Sequence, residues 1–138
     1  MEELSRVVKP GGFVFISVMS RWGVFNYYGI RSTDELMEDG YYEVLAGTGE
    51  DHNWRREGYY AHYYTTDEVQ KLLDDSPLRL EKFLSLQGLT TGSIEVFNTL
   101  DRESPEFSRW MKFLQDNCED RIMSDMGFHF MVLCRKPE

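Results

Sequence analysis

The chain has 138 residues, with 24 acidic against 15 basic side chains, a formal charge of -9, 41% hydrophobic and 14% aromatic residues. That length builds one core, and that apolar content excludes a disordered tail. The acidic balance excludes non-specific binding to nucleic acid or to an anionic membrane surface.

A single domain, 1–138, is expected. Cys118 and Cys134 have neither metal-ligand nor disulfide-framework spacing and are expected to be free thiols. Two glutamates follow Met1, no basic segment leads into an apolar one, and no apolar run is long enough to span a bilayer. The expected location is the cytoplasm.

In chain order, a short helical face ends at Val8, and Pro10–Gly11–Gly12 makes a sharp reversal. Phe13–Val18 is an almost unbroken apolar run, which predicts a strand buried on both faces, as in a parallel sheet. Met19 to Gly23 is a strand end meeting a loop. Val24 to Ile30 predicts a short helix or turn. Ser32–Thr33–Asp34–Glu35 starts a short helix that Gly40 stops. Glu43 to Gly58 is polar and predicts a loop.

Thr65–Thr66–Asp67–Glu68 is a capping box, and Val69, Leu72 and Leu73 form the buried stripe of the helix it opens. Ser76–Pro77 ends that helix. Leu78, Leu80, Leu84 and Leu86 then predict a strand with one buried face, Lys82 and Phe83 being exceptions. Gly88 to Arg102 predicts an ordered loop or short helix. Ser104–Pro105–Glu106 starts a helix whose Phe107, Trp110, Met111 and Leu114 are expected in the core. Phe128 to Cys134 predicts a final strand, with His129 as a core histidine.

Glu2–Glu3–Leu4–Ser5–Arg6–Val7–Val8–Lys9–Pro10–Gly11–Gly12–Phe13 closely resembles the "E-x-x-R-V-L-K-P-G-G" segment of class I S-adenosylmethionine-dependent methyltransferases. The "Y-x-T-x-x-E-V" pattern at Tyr63 to Val69 and the closing Arg135–Lys136–Pro137 are similar to that family too. The resemblance implies an α/β fold: part of a doubly wound, Rossmann-like sheet, mixed through a final antiparallel strand, with a helical or loop lid inserted at about 20–64. It implies that the strand at Phe13–Val18 borders the final strand, and that the reaction uses S-adenosylmethionine and a small-molecule acceptor.

The family's cofactor site resembles other doubly wound sheets in needing a glycine-rich turn after a strand. Here Gly11–Gly12 precedes a strand, and Gly47–Thr48–Gly49 follows no buried one. The chain therefore reads as the C-terminal half of a methyltransferase without its cofactor-binding half, inactive alone, and no cofactor-binding residue is assigned. The alternative is a non-catalytic remnant that acts as a self-associating or partner-binding module. Either way, losing a neighbour leaves an apolar edge at Phe13–Val18, which predicts a homo-oligomer.

Ser20, Arg21 and Trp22 fall at a strand's carboxyl end, where open α/β sheets handle ligands. For Arg21 the competing reading is a partner for one of the many carboxylates, and for Trp22 it is packing. The tyrosine pairs 27–28, 41–42, 59–60 and 63–64 frame the lid, with at most one ring of each facing a pocket. Tyr60 and Tyr63 join the substrate-binding candidates. His62, beside the capped helix, is the candidate catalytic base and acceptor contact, because histidine is the residue type suited to taking up a proton near neutral pH. A backbone contact at the helix start is its structural alternative. The three histidines form no zinc pattern, and no serine or cysteine sits in a nucleophile context.

Overall fold

The computed structural model describes residues 1–37, 40–54 and 59–138. Helix α1 (Glu2–Val7) gives way to extended backbone at Val8, and Gly11, at φ 74°, turns the chain into β1 (Phe13–Met19). The Lys136 ammonium donates to the carbonyls of Ser5 and Val8, at 2.6 and 3.1 Å, and so satisfies the last turn of α1. Strand β1 pairs antiparallel with the last strand, β5 (His129–Arg135), and β5 pairs antiparallel with β4 (Arg79–Ser85). The order is β1–β5–β4, so the last strand lies between the other two. A separate antiparallel hairpin joins β2 (Glu50–Trp54) to β3 (Tyr59–His62). The protein is thus mixed α/β with two small antiparallel sheets.

Helix α5 (Thr66–Asp74) begins where the capping box predicts: the Thr65 hydroxyl accepts the Glu68 N–H, and the Glu68 carboxylate accepts the Thr65 N–H. Its Val69 and Leu73 pack with Leu78 on Val14, Phe83, Phe130, Val132 and Cys134 of the three-stranded sheet. A second cluster holds Val24, Leu45 and Tyr63, flanked by Phe25, Tyr28, Tyr41 and Phe128. It joins α2 (Arg21–Arg31) to α4 (Tyr41–Glu43), to a π-turn at Val44–Thr48 and to the hairpin.

Several expectations need correction. Only one face of β1 is buried: Val14 points into the core, whereas Phe13 and Phe15 are 54% and 65% exposed. The reason is that α1 and α5 cover the side that Val14 faces, whereas the other side is covered only towards Met19 and His129 and stays open at Phe13 and Phe15. In β4 the pairing slips between Leu80 and Lys82, so Glu81 is a bulge and the inward face passes to Phe83. Leu86, predicted inside, is exposed. The stretch predicted as a loop from Glu43 contains the π-turn and β2, and 55–58 lie outside the described residues.

The segment after Ser20 is an eleven-residue helix that Ser32 closes, longer than expected. The next helix, α3 (Thr33–Leu36), does not reach Gly40, which at φ 92° opens α4 instead. The 88–102 stretch folds into a 3₁₀ turn (Gly88–Ser93) and α6 (Ile94–Asn98). Helix α7 (Pro105–Asp116) starts at Ser104 as predicted, yet none of its residues is buried. Its rings stack on Phe97 of α6, with Phe107 at 5.6 Å and Trp110 at 6.3 Å, and do not enter the core. A further helix, α8 (Arg121–Met126), capped by Asp120, has no counterpart in the sequence reading. His129 lies opposite Phe130 on the half-covered face, where burial lowers its pKa and Phe128 sits 5.0 Å away.

Burial pushes the Cys134 thiol up to about 11 from an ordinary 9.0. The unfolded chain then releases this proton first, so stability falls as pH rises from about 9 to 11, by roughly 2–3 kcal/mol. Urea titrations across that window should show a steeper loss in the wild type than in Cys134→Val.

Candidate functional site

At the carboxyl end of β1, the Ser20 N–H is held by the Phe128 carbonyl at 2.9 Å. The Ser20 hydroxyl caps α2 by accepting the Gly23 N–H at 3.2 Å and donates to the Asp125 carbonyl. The next residue, Arg21, is buried. Its guanidinium donates to the carbonyls of Gly47 and Thr48, both at 2.7 Å, and of Tyr63 at 3.3 Å, and it pairs with the Glu68 carboxylate. A planar fork with several donors suits a cluster of carbonyls and a carboxylate as no other side chain does. Gly49, at φ 77°, passes so close that a Cβ there would sit 2.3 Å from the Tyr63 carbonyl. Four of the five guanidinium N–H groups of Arg21 are thus taken up within the protein, which leaves a single Nη1 donor.

Glu68 is the hub. One oxygen takes Arg21, and the other takes the Thr65 N–H at 2.8 Å and lies 4.0 Å from His62 Nε2. The His62 ring stacks on Tyr64 at 4.2 Å. Pairing of Glu50 with His62 and of Asp51 with Ala61 gives the hairpin two faces. Glu50, His52, Tyr60 and His62 share one; Asp51, Ala61 and Tyr63 share the other. Tyr63 is buried and donates to Asp51 at 3.3 Å. Burial first, then Tyr41 and Asp51, push its phenol far above the ordinary range, so it stays protonated and faces the core, away from any open pocket. Tyr64 is pushed upward too, by burial and then by Tyr60 and Glu68. The hairpin's end is tied to the sheet, because the Tyr64 N–H donates to Met19 and its carbonyl accepts from Arg21.

The structure thus brings Ser20, Arg21, His62 and Tyr63 into one junction. Trp22 and Tyr60 lie on its surface, Tyr60 with its ring 5.4 Å from His52. For Arg21 the partner-of-a-carboxylate reading is the observed one. Two members of the junction escaped the sequence reading. Asp125 accepts the N–H and hydroxyl of Thr66, both at 2.8 Å, and so holds the first turn of α5 from α8. Asp51 anchors Tyr63. Neither sits at a spacing that marks it in the sequence.

This junction does not fit S-adenosylmethionine: the strand end is filled by Arg21 and Glu68, and no glycine-rich turn follows it. A recess of about 420 Å³ opens at the opposite end of the sheet, lined by Leu73, Asp74, Leu78 and Arg79 among others. Among the described residues no group of three His, Cys, Asp or Glu is arranged to hold a metal, and no helix is long and apolar enough to cross a membrane. No family model matches the chain, and no curated protein matches it.

Proposed function

We propose that this chain is the substrate-side, C-terminal portion of an S-adenosylmethionine-dependent methyltransferase acting on a small molecule, and that it does not methylate by itself. One observation carries the reading: a helix–Pro10–Gly11–Gly12–strand unit leads into a sheet whose last strand lies antiparallel between β1 and β4. The doubly wound sheet and the donor site belong to elements outside this sequence. Within it, His62 takes the proton from the acceptor's oxygen or nitrogen, with the Glu68 carboxylate holding the resulting imidazolium. Tyr60 and Trp22 offer exposed ring surface to the acceptor, while Ser20, Arg21 and Tyr63 position the frame.

The test is a fusion that places the cofactor-binding half of a small-molecule methyltransferase ahead of Glu2. A folded fusion should bind S-adenosylmethionine and release S-adenosylhomocysteine with some small acceptors. His62→Gln should lower kcat about 100-fold with cofactor affinity unchanged. A fusion that melts cooperatively yet binds no cofactor overturns the reading. The second reading, a non-catalytic self-associating module, is favoured by the uncovered side of β1.

A further inference from the structure

The N–H of Ser20 bonds to Phe128, and the Gly12 carbonyl accepts from Lys136, so even-numbered residues of β1 direct their backbone groups towards β5. Phe13, Phe15, Ser17 and Met19 direct theirs outward. The Met19 carbonyl is taken by the Tyr64 N–H at 2.9 Å. That leaves Phe13, Phe15 and Ser17, whose outward groups meet no other strand among the described residues. The strand reads Phe-Val-Phe-Ile-Ser-Val-Met, with no charge, proline or glycine, and so has none of the devices that guard an edge.

We propose that β1 pairs antiparallel with β1 of a second copy about a two-fold axis at Phe15. Phe15 then faces the second copy's Phe15, and Phe13 faces the second copy's Ser17, each pair exchanging two hydrogen bonds. The free groups are symmetric about Phe15 and use up one another. A register centred on Ile16 would need the Met19 carbonyl, which is occupied. The absence of charge along the strand lets two acidic chains meet here without repulsion, and Val14 and Ile16 of the two copies meet on the core side. At 54% and 65% exposure, Phe13 and Phe15 add only a few hundred Å² of buried surface. That is below the roughly 1,000 Å² of a stable complex, so dissociation falls in the micromolar range. The proposal does not rest on the methyltransferase reading, although a strand completing that sheet would compete for this edge.

Sedimentation equilibrium through the micromolar range should show the mass rising from 16.3 kDa towards twice that. Ser17→Pro removes one outward N–H, which an edge strand tolerates, and should remain monomeric with an unchanged melt at low concentration. In a Cys118→Ser background, Phe15→Cys should oxidise to a cross-linked dimer, since directly opposed residues of such a pair are about 5.5 Å apart, and Val18→Cys should not. A protein monomeric at every concentration overturns the proposal, as does a dimer that survives Ser17→Pro or fails to cross-link through Phe15→Cys. Should Ser17→Pro fail to fold, the cross-link decides alone.

Discussion

Gly23→Ala is expected to destabilise the protein by about 3 kcal/mol or more, although it places the best helix former in the first turn of α2. Helix propensity favours alanine by about 1 kcal/mol. Space decides against it: a Cβ at Gly23 would lie 1.9 Å from the Gly127 carbonyl oxygen and 2.4 Å from its carbon. Gly127 cannot retreat, because Ser85 and Gly88 press from the other side, within 2.8 and 3.0 Å of where its own Cβ would be. What meets the new Cβ at Gly23 is backbone, of Gly127 and Phe128, so relief requires parting α2 from the turn between α8 and β5. Urea unfolding should show a much lower midpoint; an unchanged or raised midpoint would mean that α2 does not approach Gly127 in this way.

Arg21→Met should cost about 3 kcal/mol, a large fraction of the 5–15 kcal/mol that a domain of this size holds in reserve. The substitution leaves three carbonyls, of Gly47, Thr48 and Tyr63, without this donor, and Glu68 without its cation. Glu68 keeps about a third of its side chain in water, which holds the cost towards the lower end for a broken buried pair. Adding Glu68→Leu should cost less than the two single changes together, because the second removes a carboxylate already stranded by the first. A double-mutant cycle by urea unfolding measures this. Hydrogen exchange should quicken at Gly47–Gly49 in Arg21→Met, since the guanidinium fastens that turn to the sheet. Additive effects, or an Arg21→Met midpoint close to wild type, would show that Arg21 is not the fastener.

These two sites also mark what a single sequence reveals. The capping residues Thr65, Glu68 and Ser104, the Pro10–Gly11–Gly12 reversal and the strands at Phe13 and His129 act over three to seven residues, and each was predictable from its own neighbourhood. Long-range facts were not. The bulge at Glu81 inverts the inward face of β4, and the amphipathic stripe of α7 predicts a partner without saying whether this chain supplies one. The carbonyl and carboxylate partners of Arg21 lie 26, 27, 42 and 47 residues away. Composition pointed to a carboxylate for it, but only folding selects Glu68. The same holds for Gly23, whose requirement comes from a residue more than a hundred positions later.

The central claim is that the acceptor side of a methyltransferase is present and the donor side is not. Calorimetric titration of S-adenosylmethionine into this chain, beside the fusion carrying a cofactor-binding half, tests it most directly. No heat beyond dilution for the chain alone, with one saturable site in the fusion, is the predicted result. Saturable binding by the chain alone would contradict the claim, because it would require a donor site built from these residues.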